Sequence, residues 1–226
     1  MAMTRYHDLA KSKNQMIQFV SVTTGQSVEF PAFVTRFTDN FNVSWGTEQS
    51  FGRVDPVKPY QSTTRRITLG FTVLASSEEM ANENLTNYSK LIQMLYPVYS
   101  EPLAESGGNS LGRTIKAPPI LRVKMMNYIQ SPSGDGGLLG CISGLDFTPE
   151  FEAGHFIRPD GTIAPILFNV SFTFDAQHDQ ELGFGKEGFL SSNFPYGQTV
   201  EQTPSLASSG RNENEASLQT SALSGN

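Results

Sequence analysis

The chain has 226 residues and a net charge of −6, and 38% of its residues are hydrophobic against 17% that are charged. Its 16 phenylalanines can anchor a core, so the composition excludes a typical disordered protein. The negative charge argues against affinity for nucleic acid or acidic lipid over the whole surface. The 20 glycines and 13 prolines indicate many turns and favour a mainly β fold.

A single cysteine, Cys141, excludes a disulfide within the chain. It lies in the apolar run L-L-G-C-I-S-G, which favours a buried small hydrophobic residue over a reactive thiol. The N-terminal residues lack the apolar segment of a leader peptide, and no stretch approaches the roughly 18 apolar residues of a membrane span. We therefore expect a soluble protein that is made in the cytosol.

The N-terminal part of the chain predicts an arm followed by a strand. Residues 1–14 are polar and mildly basic, so we expect them to be disordered or docked on a partner. A first strand is predicted at Met16–Val22, with Ile17 and Phe19 on one face. Gly25 can adopt the positive φ of the turn that follows.

Two further strands are predicted up to Trp45, the single tryptophan of the chain. The second strand spans Ser27–Phe37, and Pro31 within it indicates an edge position or a bulge because proline has no amide hydrogen to donate. Residues 38–40 are T-D-N, which predicts a turn. A third short strand then alternates from Phe41 to Trp45.

The loop Gly46–Tyr60 is rich in conformationally special residues. Pro56 and Pro59 fix φ at two points and bias the preceding residues towards extended geometry, which predicts an ordered loop. Arg53 and Asp55 are close enough in sequence to pair or to hold local backbone. The alternative is a solvated charge pair that contributes little.

The segment Thr63–Ala75 has the clearest strand pattern in the chain. It is longer than the usual five or six residues, so it can extend beyond one sheet and reach a neighbour. Alternating apolar residues predict one buried face: Ile67, Leu69, Phe71, Val73 and Ala75.

One helix is predicted at about 77–96. Ser76 and Glu79 have the spacing of a capping box, and Pro97 ends the helix near Tyr96. The helix has one apolar stripe, so one face packs on the sheet and the other meets water or another chain. The stripe comprises Ala81, Leu85, Tyr88, Ile92 and Leu95.

The remainder of the chain predicts more strands. Glu101–Arg113 has the composition of a loop, and strands are predicted at Ile120–Gln130 and Leu138–Leu145, joined by a hairpin connection. Phe147–Phe156 predicts another strand or an extended segment. The last strong strand alternates through Ile166, Phe168, Val170, Phe172 and Phe174.

The pattern decays after Gln177, and residues 199–226 form a polar tail that should not fold alone. No internal repeat or second core is evident. We therefore predict one domain at about 15–185, preceded by the arm at 1–14 and followed by a polar C-terminal extension at 186–226.

No catalytic, cofactor or metal motif is found. His178, Asp179 and Glu181 could supply metal ligands at a strand end, although a polar strand terminus is the favoured interpretation. The glycine-rich runs match neither a phosphate-binding loop nor a dinucleotide fingerprint, and no G-x-S-x-G occurs. We therefore expect no enzyme, no cofactor and no metal.

A nucleic-acid-binding sheet would place aromatic and basic residues together on an exposed face. The nearest match pairs Arg122 and Lys124 with Met126 and Tyr128. This is too sparse to predict specific nucleic acid binding.

Several segments, taken in order, resemble baseplate proteins of contractile-tailed bacteriophages. These are G-R-V-D-P-V-K-P-Y, T-T-R-R-I-T-L-G-F-T-V, N-L-T-N-Y-S-K-L-I-Q-M-L-Y-P-V-Y and, later, L-L-G-C-I-S-G-L-D-F-T-P-E-F-E-A-G-H-F with P-I-L-F-N-V-S-F-T-F. The resemblance is to the hub and tube-initiator or hub-adaptor type, some of which carry a LysM-like module. It covers roughly residues 30–178.

The resemblance implies a tail-tube-like β-sandwich or partial barrel with one flanking helix. Such subunits often form rings of six around the tail axis, joining the hub, spike or wedges to the tail tube. It thus implies a virion protein whose partners are its own copies and other baseplate, hub and tail-tube proteins, with no membrane partner. Seven residues are predicted to serve at interfaces or in the structure: Trp45, Arg53, Asp55, Pro56, Tyr60, Leu85 and Tyr88.

Two other function classes remain open at this point. A β-sandwich module that binds carbohydrate or a cell surface would need a cluster of exposed aromatic side chains on one face. An enzyme such as a wall hydrolase would need a site assembled from residues that are distant in sequence.

Overall fold

The computed structural model describes residues 6–31, 33–100, 103–106, 109–111, 113–132, 136–158, 161–186, 188–191 and 193–198. The first half of the chain contains α1 (Tyr6–Ser12), β1 (Met16–Ser21), β2 (Ser27–Pro31), β3 (Phe33–Trp45), β4 (Tyr60–Leu74), α2 (Glu78–Met94), β5 (Val98–Tyr99), β6 (Leu103–Ser106), β7 (Asn109–Leu111) and β8 (Ile115–Ala117). The second half contains β9 (Leu121–Met125), β10 (Leu138–Pro149), a 3₁₀ turn (Phe151–Ala153), β11 (His155–Ile157), β12 (Ile163–Pro165), β13 (Leu167–Ala176), β14 (Phe184–Gly185) and β15 (Gly188–Phe189).

Seven strands form one antiparallel sheet in the order β2-β1-β9-β10-β13-β4-β3. Its two edge strands, β2 and β3, are separated by one residue in the chain. Because successive Cα atoms are about 3.8 Å apart, Pro31 and Phe33 lie within roughly 8 Å of each other. The sheet therefore curls until its first and last strands meet at one corner. The protein is mainly β, with a partly closed barrel and α2 beside it, which confirms the predicted fold class.

The interior of the barrel is filled by phenylalanine rings from different strands. Phe19 lies edge-on to Phe172 with 5.3 Å between ring centroids, and Phe30 is tilted against Phe71 at 5.8 Å. All four side chains are fully buried. Aromatic pairs in this geometry add about 0.5–1.5 kcal/mol beyond the burial of their area. The alternation predicted in β4 and β13 is confirmed, because its apolar members line this interior.

The turn predicted at 38–40 is wrong, because β3 runs unbroken from Phe33 to Trp45 alongside β4. Asp39, the residue most typical of a turn in this segment, points inwards and pairs with Arg65. A long-range partner therefore satisfies a side chain that would otherwise favour local hydrogen bonds. The edge position inferred from Pro31 is confirmed, since β2 is the first strand of the sheet.

The helix α2 is present, but its cap and its buried face differ from the predicted ones. The N-cap is Ser77, whose hydroxyl accepts from the Met80 amide at 3.3 Å, rather than Ser76. Leu85 is only half-buried and Ile92 is exposed, because the helix is rotated relative to the predicted stripe. The residues buried on this helix are Met80, Ala81, Asn84, Tyr88, Leu91 and Met94.

Two contacts explain this rotation of α2. Tyr88 stacks on Phe147 with 4.5 Å between ring centroids. Asn84 Nδ2 donates to the Leu74 carbonyl at 3.4 Å, so a polar residue occupies the buried face. A stripe counted from apolar residues alone omits Asn84 and therefore selects the neighbouring line of the helix surface.

Three segments that follow α2 differ from their predictions. The loop expected at 101–113 contains the paired strands β6 and β7. The segment 147–156, predicted as another strand or an extended segment, holds the end of β10, a 3₁₀ turn and the start of β11. Cys141 is half-buried rather than buried, and its Sγ accepts from Gln177 Nε2 at 3.6 Å. It lies on the outward side of β10, just before the register shift between Ile142 and Gly144.

Both ends of the domain are more structured than the sequence suggests. Part of the predicted arm forms α1, in which Ala10 is buried and Lys11 approaches Glu29 at 3.8 Å. At the other end, residues 193–197 pack on β3 and on the turn after β9, so the packed chain continues beyond residue 185. Most of the predicted C-terminal extension, 199–226, lies outside the described residues.

Substitutions at two leucines test the corrected orientation of α2. We expect Leu91→Ala to lower the free energy of unfolding by about 2–5 kcal/mol, because it leaves a cavity at a fully buried site. Leu85→Ala, on the flank of the helix, should cost about 1 kcal/mol or less. Chemical denaturation of both variants measures the difference. An equal or reversed cost would contradict the observed rotation.

Candidate interaction surface

The hairpin formed by β3 and β4 extends beyond the sheet. Strand β4 pairs with β13 only from Arg65 onwards, so residues 60–64 have β3 as their single neighbour. Beyond Trp45 the ladder continues, because Glu48 and Val57 exchange backbone hydrogen bonds at 2.9 Å. The predicted loop at 46–60 is therefore the end of a hairpin. We call residues 41–64 the ribbon; at about 3.3 Å per residue, its paired part extends roughly 20 Å.

One side of the ribbon is apolar and exposed. Phe41, Val43, Trp45 and Tyr60 have 41%, 45%, 55% and 56% of their surface accessible. Trp45 and Tyr60 are paired residues whose rings meet edge-to-face at 5.6 Å. These four residues, the apolar ribbon face, continue the core-facing side of the sheet beyond the barrel, since Phe41 lies opposite the buried Arg65.

The tip of the ribbon exposes two more large apolar side chains. Phe51 and Val54 are essentially fully accessible, at 108% and 96%. Gly52, with φ of 82°, provides the left-handed conformation that the turn requires. Exposed apolar residues in one continuous region are typical of interaction sites.

The charged residues predicted in this segment do not pair with each other. Arg53 and Asp55 are both exposed, and no ion pair joins them in the described part of the ribbon. The Arg53 amide donates to the Ser50 carbonyl at 3.2 Å, and Pro56 is half-buried beside the turn. Of the seven predicted residues, five therefore lie together on the ribbon.

The other two predicted residues lie on α2. Tyr88 is a core residue, and burial, followed by the charge of Asp146, raises the pKa of its hydroxyl. Leu85 lies on the flank of the helix. The helical spacing that selected Tyr88 from the sequence thus reflects its packing in the core.

A second apolar surface lies beside α2. The exposed side of the helix and a neighbouring stretch of β10 enclose a groove of about 380 Å³. Tyr96, at its rim, is 65% exposed. The side chains of the groove include Tyr88, Ile92, Leu95, Tyr96, Ile142 and Leu145.

The opposite side of the β3–β4 hairpin is polar. It forms a concave region of about 810 Å³ that β13 also lines. Within it Arg66 Nε donates to Asp175 at 2.6 Å, and this hydrogen bond is the main cause of a lowered pKa of the Asp175 carboxyl. The other lining side chains are mostly neutral: Thr38, Asn40, Asn42, Thr64, Thr68 and Gln177.

A buried ion pair lies where the barrel ends and the ribbon begins. Arg65 and Asp39 have 0% and 2% of their side chains accessible, with Nη2 and Oδ2 at 2.7 Å and Nε 3.1 Å from both oxygens. The sequence analysis missed this pair. The sequence does contain a signal for it, namely the alternation of β4. Arg65 stands two residues before Ile67 and therefore falls on the core face of the strand.

Aromatic side chains enclose the pair. The Arg65 guanidinium lies 5.2 Å from the Phe41 ring centroid and 5.3 Å from that of Phe194. Tyr196 donates its hydroxyl to Asp39 at 3.2 Å, and burial, then the Asp39 charge, raises the pKa of Tyr196. The His178 ring meets Phe194 edge-on at 5.6 Å.

The metal site considered from the sequence is not assembled in the described ranges, where no three His, Cys, Asp or Glu residues are grouped for a metal ion. Asp179 pairs with Arg122 at 2.9 Å, while His178 faces Phe194. Glu181 is exposed. Within the same ranges, neither helix is long and apolar enough to cross a membrane.

Two aspartates provide a matched test of the buried pair. We expect Asp39→Asn to lower the free energy of unfolding by about 3–5 kcal/mol, because it leaves the Arg65 charge buried and uncompensated. Asp175→Asn, which breaks the exposed pair with Arg66, should cost at most about 1 kcal/mol. Urea denaturation at neutral pH measures both. Similar costs for the two variants would show that the buried pair does not hold this corner together.

Comparison with known proteins does not identify a family: no protein-family model matches the chain, and no curated protein is significantly similar to it in sequence. A function for this chain therefore has to be inferred from its own geometry and chemistry.

Proposed function

We propose that this protein is a structural subunit of a contractile-tail baseplate, where copies form a ring that joins the hub, spike or wedges to the tail tube. The observation that carries the proposal is the ribbon, a projecting hairpin with exposed apolar side chains on one face and at its tip. The resemblance of residues 30–178 to baseplate proteins supplies the biological setting.

The energetics of the ribbon favour a bound partner. A two-stranded hairpin is marginally stable by itself in water. Complete burial of a large apolar side chain contributes about 1.5–3 kcal/mol, which the exposed Phe51 and Val54 do not gain within this chain. A neighbouring subunit that covers the tip would supply that burial.

The chain offers two apolar surfaces of different shape, which supports assembly from identical copies. The tip of the ribbon is convex, and the groove beside α2 is concave. Contacts between unlike surfaces of identical subunits are heterologous, and they generate closed rings when the rotation closes. The proposed ring, of six copies in the proteins that this chain resembles, would use contacts of this kind.

A carbohydrate-binding module is the alternative with a specific observation in its favour, namely the exposed Trp45 and Tyr60 rings. Sugar recognition by stacking also needs polar groups around the ring. Here the polar side chains Asn42 and Thr64 occupy the opposite side of the hairpin. Beside the rings, Tyr60 donates its hydroxyl to Thr63 at 2.8 Å, so this face has a polar group already engaged within the chain. The assembly proposal is the better supported one because it also accounts for the exposed apolar tip, Phe51 and Val54.

The proposal assigns no chemical step to the chain. The polar concavity contains the ion pair between Arg66 and Asp175 and is also lined by Arg65, whose side chain is buried. The other lining residues carry hydroxyl, amide and methyl groups. A general acid and base with separated pKa values, as hydrolysis of a cell wall would use, are not among these groups. We therefore propose a structural role in the virion, with other baseplate, hub and tail-tube proteins as partners.

Removing the apolar tip tests the assembly role. We expect the double variant Phe51→Ser, Val54→Ser to enter tail particles at a level at least about tenfold lower, as measured by mass spectrometry of purified particles. Its free energy of unfolding as a monomer should change by less than about 0.5 kcal/mol, since both side chains are exposed.

The matched control is Phe184→Ser, which removes a ring that is 75% exposed outside the ribbon. It should assemble normally. Normal incorporation of the tip variant would argue against the ribbon as an interface. Loss of binding to a glycan array by a Trp45→Ser variant, with assembly intact, would favour the carbohydrate alternative.

A further inference from the structure

A short C-terminal segment closes the end of the barrel from which the ribbon emerges. Residues 193–197, here called the strap, reach from β3 to the turn after β9. Asn127 Nδ2 donates to the Tyr196 carbonyl at 3.1 Å, and the Tyr128 and Tyr196 ring centroids are 5.7 Å apart. On the other side Phe194 lies edge-on to Phe41 at 6.1 Å. The strap thus spans the gap between one edge of the sheet and its middle.

The path of the strap depends on Gly197. Its φ is 71°, and its amide donates to the Asn193 carbonyl at 2.7 Å. A Cβ atom at this position would lie 2.5 Å from Gln130 Nε2. Glycine therefore permits both the left-handed turn and the close approach to the β9 turn.

The surface beneath the strap contains two polar atoms without partners. Arg65 Nη1 and His178 Nδ1 are buried, and neither has a hydrogen-bond partner among the residues that the structure describes. A buried polar atom in this state costs about 1–3 kcal/mol. The closed strap is thus held by the hydrogen bond from Tyr196 to Asp39 and by the ring contacts of Phe194 and Tyr196. The two unpartnered polar atoms beneath it oppose closure.

We propose that the strap is an acid-released cover, which protonation of His178 opens to expose Arg65 and the inner end of the apolar ribbon face. The geometry identifies His178 because its ring meets the Phe194 ring of the strap edge-on at 5.6 Å, and its buried Nδ1 has no hydrogen-bond partner among the described residues. The Arg65 guanidinium lies against the same Phe194 ring, 5.3 Å from its centroid. A second positive charge at this point must either remain buried beside Arg65 or move into water.

The acidic groups around His178 offset that charge only in part. Asp39 on β3 acts on His178, but it already binds Arg65 in a bidentate pair. Asp179, the next residue in the chain, pairs with Arg122 of β9. The remaining titratable neighbour on the strap, Tyr196, is neutral and donates its proton to Asp39.

The direction of the pH dependence follows from these surroundings. Burial, and after it the charge of Arg65, lowers the pKa of His178, while Asp179 and Asp39 raise it to a smaller extent. With the strap open, the solvated imidazole would have its ordinary pKa of about 6.5. The preference for the closed strap is therefore complete above about pH 6.5 and decreases as the pH falls below it.

Release of the strap would change the proposed assembly surface. Phe41 would lose its contact with Phe194 and become more exposed, beside the exposed side chains of Val43 and Trp45. This consequence rests on the proposed function, whereas opening of the strap is a property of the isolated chain. The two can therefore be tested separately.

The opening is tested by NMR on the full chain labelled with ¹⁵N, titrated from pH 8 to pH 5. The probes are the Gly197 amide and the Arg65 Nε–H group, which donates to Asp39 at 3.1 Å. We expect the Arg65 signal to be lost and the Gly197 signal to shift below about pH 6.5. Amides of β4 and β13 in the core should not move, which distinguishes release from unfolding.

Three variants determine whether His178 is the trigger. His178→Phe keeps a ring against Phe194 but cannot take up a proton, so its strap signals should not change down to pH 5. His155→Gln replaces an exposed histidine on β11, and the strap signals of this variant should change with pH as they do in the unsubstituted chain. Tyr196→Phe keeps the ring but removes the bond to Asp39, so its strap should open at a higher pH.

Strap signals that stay closed to pH 5 in the unsubstituted chain would overturn the proposal. An unchanged transition in His178→Phe would do the same. For the consequence, incorporation into tail particles is compared between the unsubstituted chain and His178→Phe at pH 7.5 and pH 5.5. A strap that opens without any change in incorporation would refute the coupling to assembly and leave acid release intact.

Discussion

The structure depends on the ion pair between Arg65 and Asp39, which joins β3 to β4 diagonally where the hairpin leaves the barrel. Removing two such charges from water costs several kcal/mol for each ion, and only good geometry repays it. Here the guanidinium binds both carboxylate oxygens, and the rings of Phe41 and Phe194 cover it on two sides. The pair also holds the T-D-N segment in an extended strand.

The same pair determines which side of the ribbon is apolar. Side chains alternate along a strand with a period of two, so the orientation of Arg65 fixes that of the residues that follow it in the ladder. With Phe41 opposite Arg65, Val43 lies on the same side, and Trp45 follows it beyond a register shift between Ser44 and Trp45. A shift by one residue would place these side chains on the polar face and leave a charge without its partner. The burial of Arg65 in the core thus determines which side chains are exposed on the apolar ribbon face, which lies outside the core.

The sequence predicts well those elements in which the residues of one segment all favour the same conformation. Alternation alone locates β4 and β13, because their apolar residues face one continuous interior. It fails where a distant residue decides the conformation. The T-D-N segment has the composition of a turn, and the residue that overrides it lies 26 positions later. The stripe of α2 was misplaced because Asn84 is buried through a hydrogen bond to Leu74, which no local pattern predicts.

The candidate surface was predicted in part for the same reason. Trp45 and Tyr60 are recognisable candidates because they are large aromatic residues, and their pairing follows once the hairpin is recognised. The strap could not be predicted from the sequence, because Tyr196 and Asp39, which form its hydrogen bond, are 157 positions apart. Phe41 belongs to both features: it is the innermost ring of the apolar ribbon face and a contact of the strap. A partner that covers Phe41 completely must therefore displace Phe194 or extend the contact that Phe194 already makes. The contact of Phe194 with Phe41 closes the barrel in the free chain. Contacts that a partner makes with Phe41 on assembly therefore compete with this intramolecular contact.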